Sequence, residues 1–145
     1  MKVMTNFFKQ LFILGLLFSL IVGCEKEENS NCGCESVIID TIPVSAGLTG
    51  QLSYKKQLDT NDDFYNNKYW VTVVDSNCVY CFLNLIVCNE DLLDNFNYLK
   101  NSDTSVTVTV NFSGYHKKIC KDFYGIPEVS YHRIVLTKIE EISTL

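Results

Sequence analysis

The sequence predicts a mainly β domain with one short helix, in the order β-β-β-α-β-β. Two observations carry this prediction. Five segments are either alternately apolar and polar or almost continuously apolar and β-branched, as half-buried and fully buried strands are. Between the third and the fourth segment, apolar residues recur at a spacing of about four residues, which is the helical period.

The first three predicted strands lie between residues 48 and 88. Residues 48–55 alternate apolar and polar side chains, and residues 69–74 are β-branched or aromatic. A stretch dense in Asp and Asn, residues 59–67, separates the two strands as a loop. After an Asp-Ser-Asn turn, residues 79–88 are apolar apart from Asn84, so we expect a buried strand there.

The helix and the last two strands follow. Asn89 is a favourable N-cap, and the two acidic residues after it suit the positive end of a helix that closes at Asn101. Residues 104–112 alternate more regularly than any other segment, until Ser113-Gly114 breaks the pattern. Residues 132–139 are apolar on both faces and give the fifth strand.

The N-terminus has the pattern of an exported protein. Two lysines precede an apolar run from residue 11 to residue 22, which ends in Ile21-Val22-Gly23-Cys24. About a dozen apolar residues are too few to span a bilayer, which needs roughly 20, but they suit a signal peptide. The alternative is a retained N-terminal anchor helix with an incidental cysteine, which the length of the run disfavours.

The small residue directly before Cys24 resembles that of a bacterial lipobox. The resemblance implies that residues 1–23 are removed as a signal peptide and that Cys24 is acylated, so that lipid holds the protein in a membrane. Several acyl chains make a stable anchor, at roughly 0.8 kcal/mol per buried CH2. Residues 24–46 would then form the lipidated cysteine and a flexible tether, and residues 47–145 would form the domain.

The polar segment after Cys24 bears on the location of the protein. Residues 25–31 are rich in Glu and Asn and have no periodicity, as expected of a disordered tether. An acidic stretch with a lysine at this place resembles the surface-export signals of Bacteroidota lipoproteins. The resemblance implies an outer-membrane location in the cell envelope, either periplasmic or surface-facing. The alternative is ordinary tether composition with no sorting role.

The charge of the mature chain argues against a nucleic-acid partner. Without the two lysines of the leader, ten basic residues stand against 17 acidic ones. Phosphate contacts need clustered Lys or Arg. The short clusters at Lys55-Lys56 and Lys117-Lys118-Lys121 are better explained as solvated faces. The expected partners are therefore the membrane, through the lipid anchor, and a protein or glycan.

Six cysteines follow Cys24, and an even number in an exported chain indicates disulfides. Six cysteines allow fifteen connectivities, among which the sequence alone does not choose. We predict a bond between Cys88 and Cys120, which flank a predicted helix and strand and would close a loop of about 30 residues. The N-terminal pair would then bond to the Cys-x-x-Cys pair, which would pin the tether to the domain. These four remaining cysteines are Cys32, Cys34, Cys78 and Cys81.

The order of elements resembles an OB-fold, a five-stranded Greek-key barrel whose helix lies between strands three and four. The resemblance covers residues 48–142. Two phrases, VNFSGYHKKIC at 110–120 and RIVLTKIEEI at 133–142, look like those of small OB-like lipoproteins from Bacteroidota. That group implies no defined activity, so the resemblance predicts a barrel and no catalytic residue.

One alternative to a binding domain is redox chemistry. Cys78 and Cys81 follow an apolar strand and Pro127 lies downstream, which superficially resembles a thioredoxin. In that family the cysteine pair opens a helix, whose N-terminus lowers the thiol pKa. Here no Trp or Pro flanks the pair, and the segment after it is predicted as a strand. The alternative function is an envelope thiol–disulfide oxidoreductase that uses Cys78 and Cys81.

Two further patterns resemble metal sites. Cys78, Cys81, His116 and Cys120 have a spacing compatible with tetrahedral zinc, but thiolate ligands need reducing surroundings. Residues 59–63 alternate Asp and Asn like the opening of an EF-hand loop, but the Gly and the bidentate Glu of that loop are missing. We therefore predict no metal and no cofactor.

The aromatic residues give a candidate binding surface. Strands two and three of an OB-fold often bind ligands together with their flanking loops. Tyr65 and Tyr124 lie in predicted loops and Trp70 lies in the second predicted strand, so these three residues are the candidates. The alternative, which we favour for Trp70, is burial in the core or at its rim. With no G-x-S-x-G motif, the sequence predicts an anchored binding or assembly module without evident catalysis.

Overall fold

The computed structural model describes residues 31–56, 61, 66–74, 78, 80–103, 105–121 and 127–142. Strands dominate this part of the chain, as the sequence predicts. In chain order the elements are β1 (Ile38–Ile42), a 3-10 helix (Val44–Ala46), β2 (Thr49–Lys55), β3 (Lys68–Val74), β4 (Phe82–Val87), a second 3-10 helix (Asp94–Lys100), β5 (Thr107–Lys117) and β6 (Val129–Glu141).

Five of the strands close into a barrel. Strand β2 pairs with β3 and β3 with β4, both antiparallel, and β4 then pairs with β6 in parallel. Antiparallel pairs of β6 with β5 and of β5 with β2 complete the ring. With a short helix between β4 and β5, this is an OB-like barrel, so the predicted fold class is confirmed.

A sixth strand, β1, pairs with β5 on the same edge as β2, but farther toward the end of β5. Ile42 stands opposite Gly114 in β5, and Thr49, the first residue of β2, stands opposite Asn111. Because Ile42 is 7% exposed and packs in the core, β1 belongs to the folded domain. The tether predicted over residues 24–46 is therefore corrected: the folded part begins before residue 47.

The barrel has two unlike ends. We call the open end the one where β2, β4 and β6 begin and where β3 and β5 finish. Strand β1 lies at the open end too, because it pairs with the last residues of β5. At the opposite, closed end, the second 3-10 helix packs Phe96 and Leu99 into the core. There the Tyr69 hydroxyl donates a hydrogen bond of 3.1 Å to the carbonyl oxygen of Phe96.

The core lies inside the barrel and is built from alternate residues of its strands. Leu52, Val71, Leu85, Val110 and Ile134 come from five different strands, and each has 0% of its surface exposed. Each such side chain contributes roughly 1.5–3 kcal/mol by leaving water. The period-two patterns of residues 48–55 and 104–112 therefore identify the inward faces of β2 and β5.

The predicted helix start at Asn89 is wrong. The Asn89 side chain accepts a hydrogen bond of 2.7 Å from the backbone N–H of Leu136 and donates one of 3.0 Å to its carbonyl oxygen. Cys88 also donates to Ile134, so the chain continues beside β6 beyond the end of β4. The helix begins only at Asp94, as a 3-10 helix.

The predicted break at Ser113-Gly114 is also wrong, because β5 runs through it to Lys117. The pairing of β5 with β6 shifts register between Ser113 and Gly114, which marks a β-bulge. A Cβ atom at position 114 would lie 2.4 Å from the carbonyl oxygen of Val135. Glycine therefore serves here to let two backbones approach closely, and it bends the strand without ending it.

Three disulfides use all six cysteines after Cys24: Cys32–Cys120, Cys34–Cys88 and Cys78–Cys81. The general prediction of disulfides is confirmed, whereas the predicted connectivity is wrong. Cys88 and Cys120 each bond to the N-terminal segment and not to one another, because that segment packs along the end of β5. Gly33 donates a hydrogen bond of 2.7 Å to Lys118, and the Ser36 hydroxyl accepts one of 3.1 Å from the same residue.

Candidate functional site

The open end of the barrel holds a cavity of about 480 Å³. Its wall combines inward-facing residues of the barrel with the segments that lead into β4 and β6. Apolar side chains form most of the wall, and the carboxylate of Glu128 and the hydroxyl of Ser130 are its polar side-chain groups. The lining residues are Leu48, Val73, Val74, Cys81, Phe82, Leu83, Pro127, Glu128 and Ser130.

Of the two described 3-10 helices, only the second has buried residues, and it packs at the closed end. Leu48, Val73 and Leu83 pack against the core from the open end and are partly buried. A site with this lining suits an apolar group, with one carboxylate at its edge to receive a donor or a positive charge.

The disulfide Cys78–Cys81 lies beside the cavity. Cys81 lines the wall and donates a backbone hydrogen bond of 3.3 Å to Cys78, which closes a turn. The structure also brings Pro127 into the same wall, as a thioredoxin-like site requires. However, β4 begins directly after Cys81, so the cysteine pair opens a strand, as the sequence predicts, and has no helix N-terminus to lower a thiol pKa.

The cysteines of the zinc-like pattern, which the sequence disfavoured as a metal site, belong to different disulfides. Cys78 bonds to Cys81 and Cys120 bonds to Cys32, so their sulfurs are not thiolates. Within the described ranges, no three His, Cys, Asp or Glu side chains are grouped as metal ligands would be. Of the residues in the EF-hand-like stretch, only Asn61 is described.

Of the three aromatic candidates, the structure describes only Trp70. Trp70 is 2% exposed: it stands opposite Ile86 on the outer face of the sheet, with its ring 6.3 Å from that of Tyr131. Burial, the alternative favoured from the sequence, therefore holds for Trp70. Tyr65 and Tyr124, like the predicted acylation site Cys24, lie outside the described residues.

Sequence reasoning missed Tyr80 as a surface residue of the site. Its side chain is 72% exposed in the turn between the two bonded cysteines. The signal was available, because an aromatic residue within a four-residue disulfide loop has too few neighbours to bury it. Tyr80 therefore replaces Trp70 as the exposed aromatic residue next to the cavity wall.

Two histidines stack at the open end of the barrel. The rings of His116 and His132 are nearly parallel, at 7°, and their centroids are 5.7 Å apart. Burial lowers the pKa of His116 below its ordinary value, and the nearby His132 lowers this pKa further, whereas Asp40 acts in the opposite direction. His116 is only 8% exposed, and its Nε2 atom has no hydrogen-bond partner. The neutral form is therefore favoured.

This histidine should make folding stability sensitive to acid. Because the pKa of this imidazole is lower in the folded than in the unfolded protein, its contribution to stability is complete above about pH 6.5, the pKa in the unfolded chain. The contribution is lost as the pH falls through the lower pKa of the folded protein. We expect the free energy of unfolding to fall on acidification by at most about 1.4 kcal/mol per pH unit from this one group. Urea unfolding between about pH 7 and pH 5 measures the slope, which His116→Gln should flatten and His132→Gln should reduce in part. An unchanged slope in His116→Gln would contradict the assignment.

No protein-family model matches the chain, and no curated protein matches it in sequence. The helices in the described ranges are all too short, or too polar, to cross a bilayer. The fold and the geometry of the open end therefore carry the functional argument.

Proposed function

We propose that the protein is a lipid-anchored binding or assembly module of the bacterial envelope, which holds an apolar group of its partner in the open-end cavity. The observation that carries this proposal is the cavity of about 480 Å³ with its apolar wall. Its polar side-chain groups are those of Glu128 and Ser130, too few for the hydrogen bonds that a glycan needs. An apolar partner therefore fits this site better than a glycan.

The three disulfides support a location outside the cytoplasm. All six cysteines beyond Cys24 are paired, and such bonds persist in oxidising compartments. The lipobox-like sequence Ile21-Val22-Gly23-Cys24 supports acylation, and the acidic segment after it supports the outer membrane as the location. Lipid attachment would place the module where membrane-associated partners are concentrated.

A thiol–disulfide oxidoreductase is the second candidate. One observation favours it: Cys81 and Pro127 share the wall of a cavity that could receive a substrate. The strand that follows Cys81 weighs against it, because the thiolate would lack stabilisation by a helix N-terminus. A reduction potential of the Cys78–Cys81 pair below about −300 mV would mark the bond as structural and exclude this candidate.

Acylation is the part of the proposal that is tested most simply. We expect cells supplied with an alkyne analogue of palmitate to label the wild-type protein and to leave Cys24→Ser unlabelled, because only this cysteine follows the lipobox-like sequence. Click chemistry and gel fluorescence measure the label. The double variant Cys78→Ser/Cys81→Ser is the matched control and should keep the full signal. Label that persists in Cys24→Ser would refute acylation at this residue.

A further inference from the structure

A second cavity, of about 340 Å³, has a disulfide in its wall. Cys34 and Cys88, which are bonded to each other, both line this cavity, and both are partly exposed. A small thiol can therefore approach the bond from the cavity, as exchange between a thiol and a disulfide requires. The other lining residues are Glu35, Asn89, Tyr115, Lys117 and Val135.

The guanidinium of Arg133 lies next to one of the two sulfurs. Its Nη1 atom donates a hydrogen bond of 3.6 Å to Cys34 Sγ, and none of the described carboxylates forms an ion pair with it. Lys117, which stands opposite Arg133 on β5, lines the cavity. Against these two cations, the described lining holds one carboxylate, that of Glu35. A neighbouring positive charge stabilises a thiolate, so this place favours the thiolate that forms when the bond opens.

The position of Arg133 makes the two ends of the bond unequal. The hydrogen bond from the guanidinium is to Cys34, so the charge stabilises Cys34 as the leaving thiolate. In thiol–disulfide exchange the thiol with the lower pKa leaves faster. An external thiolate that attacks Cys88 Sγ, and expels Cys34, therefore reacts faster than one that attacks Cys34.

Both cysteines have contacts that keep them in place when the bond opens. Two residues before Cys34, the Cys32–Cys120 bond ties the N-terminal segment to the domain. Two residues after it, the Ser36 hydroxyl accepts a hydrogen bond of 3.1 Å from the backbone N–H of Lys118. Cys88 donates a backbone hydrogen bond of 2.8 Å to β6. The two thiols therefore stay near one another, and the bond can form again.

The other two disulfides lack this combination of access and charge. Cys81 of the Cys78–Cys81 bond lines the open-end cavity, but the described lining of that cavity contains the carboxylate of Glu128 and no Lys or Arg. A carboxylate disfavours a thiolate beside it. The Cys32–Cys120 bond lines neither of the two cavities. Among the three bonds, Cys34–Cys88 is therefore the one suited to exchange.

We propose that Cys34–Cys88 is a site of thiol–disulfide exchange, in which a dithiol attacks Cys88 Sγ and Cys34 leaves as a thiolate beside Arg133. In the first step a bond forms between the attacking sulfur and Cys88, while the Cys34–Cys88 bond breaks and its electron pair goes to Cys34. The second thiolate of the dithiol then attacks the first sulfur of the same dithiol and releases Cys88 as a thiolate.

The exchange balances without a further reactant. Two electrons pass to Cys34 and Cys88, the attacking dithiol becomes a disulfide, and the protons that its thiols lose are taken up through water by the two thiolates of this protein. The dithiol is that of a partner molecule. The inference depends neither on the lipid anchor nor on the open-end cavity, so it can fail while the proposed function stands.

Treatment with glutathione, a small thiol, tests which bond reacts and at which sulfur. The full chain is used with Cys24→Ser, which removes the one cysteine outside the three disulfides. After reaction near neutral pH, acid stops the exchange, a maleimide labels free thiols, and mass spectrometry maps the peptides. We expect Cys34–Cys88 to open several-fold faster than the other two bonds, with glutathione on Cys88 and maleimide on Cys34. Earlier opening of another bond, or glutathione mainly on Cys34, would overturn the proposal.

Arg133→Gln tests the role of the charge. We expect this variant to open Cys34–Cys88 several-fold more slowly, because the leaving thiolate loses its cation. Lys138→Gln is the matched control, since it removes one positive charge from a partly exposed position on the same strand, and it should react at the wild-type rate. An unchanged rate in Arg133→Gln, folded by circular dichroism, would refute the assignment. If this variant does not fold, the position of glutathione on the otherwise unchanged chain decides.

Discussion

Replacing Cys32 and Cys120 together by serine is expected to lower the free energy of unfolding by about 4 kcal/mol, with the nested Cys34–Cys88 bond still in place. The Cys32–Cys120 bond joins residues separated by 88 positions, and a cross-link over such a loop removes much of the conformational entropy of the unfolded chain. The Cys34–Cys88 bond spans 54 positions, so its removal is expected to cost about 4 kcal/mol. Each loss is large against the roughly 5–15 kcal/mol that stabilises a typical domain.

The Cys78–Cys81 bond is the internal control for this prediction. It spans only three positions, so its removal is expected to cost about 2 kcal/mol in the same chain-entropy treatment. Guanidinium unfolding of the three double-serine variants, followed by circular dichroism, measures all three losses. Similar losses in all three variants would show that loop closure is not what these bonds contribute.

Replacing Gly114 by alanine is the second prediction with a large effect, a loss of about 3 kcal/mol. The added Cβ would lie 2.4 Å from the carbonyl oxygen of Val135 and 3.0 Å from the Cγ1 methylene carbon of Ile134. The first contact is with a backbone atom at the bulge in the pairing of β5 with β6. This clash is therefore relieved only if the two strands move apart. Thermal and urea unfolding measure the loss.

Gly50→Ala is the matched control. Its added Cβ would lie 2.7 Å from a methyl group of Val71 and 3.1 Å from the carbonyl oxygen of Thr72. Because its closest contact is a side chain, which can shift more easily than a backbone carbonyl, we expect about half the loss seen at Gly114. If Gly50→Ala proves the more damaging substitution, the close approach of β5 and β6 does not dominate the stability of this region.

The sequence predicts the barrel strands because their pattern is local. A barrel strand has one face toward the core and one away from it, which explains the alternation in β2 and in the first half of β5. Strands β3 and β4 are recognisable as apolar runs. Gly114 misleads because glycine is read as a breaker, whereas its role depends on a partner strand that the local sequence does not reveal. Asn89 misleads in the same way, since its two hydrogen bonds are to β6.

The disulfide connectivity and β1 could not be predicted for a related reason. Strand β1 is recognisable only through its partner β5, because residues 37–39 have no period of their own. The connectivity follows from the N-terminal segment, which packs along the end of β5 and thereby reaches both Cys88 and Cys120. Contacts between residues so distant in sequence depend on tertiary packing, which no periodicity encodes.

The candidate site is the least predictable feature. Aromatic residues are the only signal in the sequence, and the candidate that lies in a predicted strand, Trp70, is buried. The open-end cavity is lined by residues from segments that are far apart in sequence, so no local motif predicts it. Tyr80 could have been found only with the Cys78–Cys81 pairing in hand, because the sequence shows the Cys-x-x-Cys spacing around it but not the bond.

The most direct test of the account is the intact mass of the protein extracted from membranes, combined with a non-reduced peptide map. The account predicts a chain that begins at Cys24, carries acyl groups there, and yields the linked peptides Cys32–Cys120, Cys34–Cys88 and Cys78–Cys81. An unacylated chain that still begins at Met1, with its cysteines reduced, would contradict it.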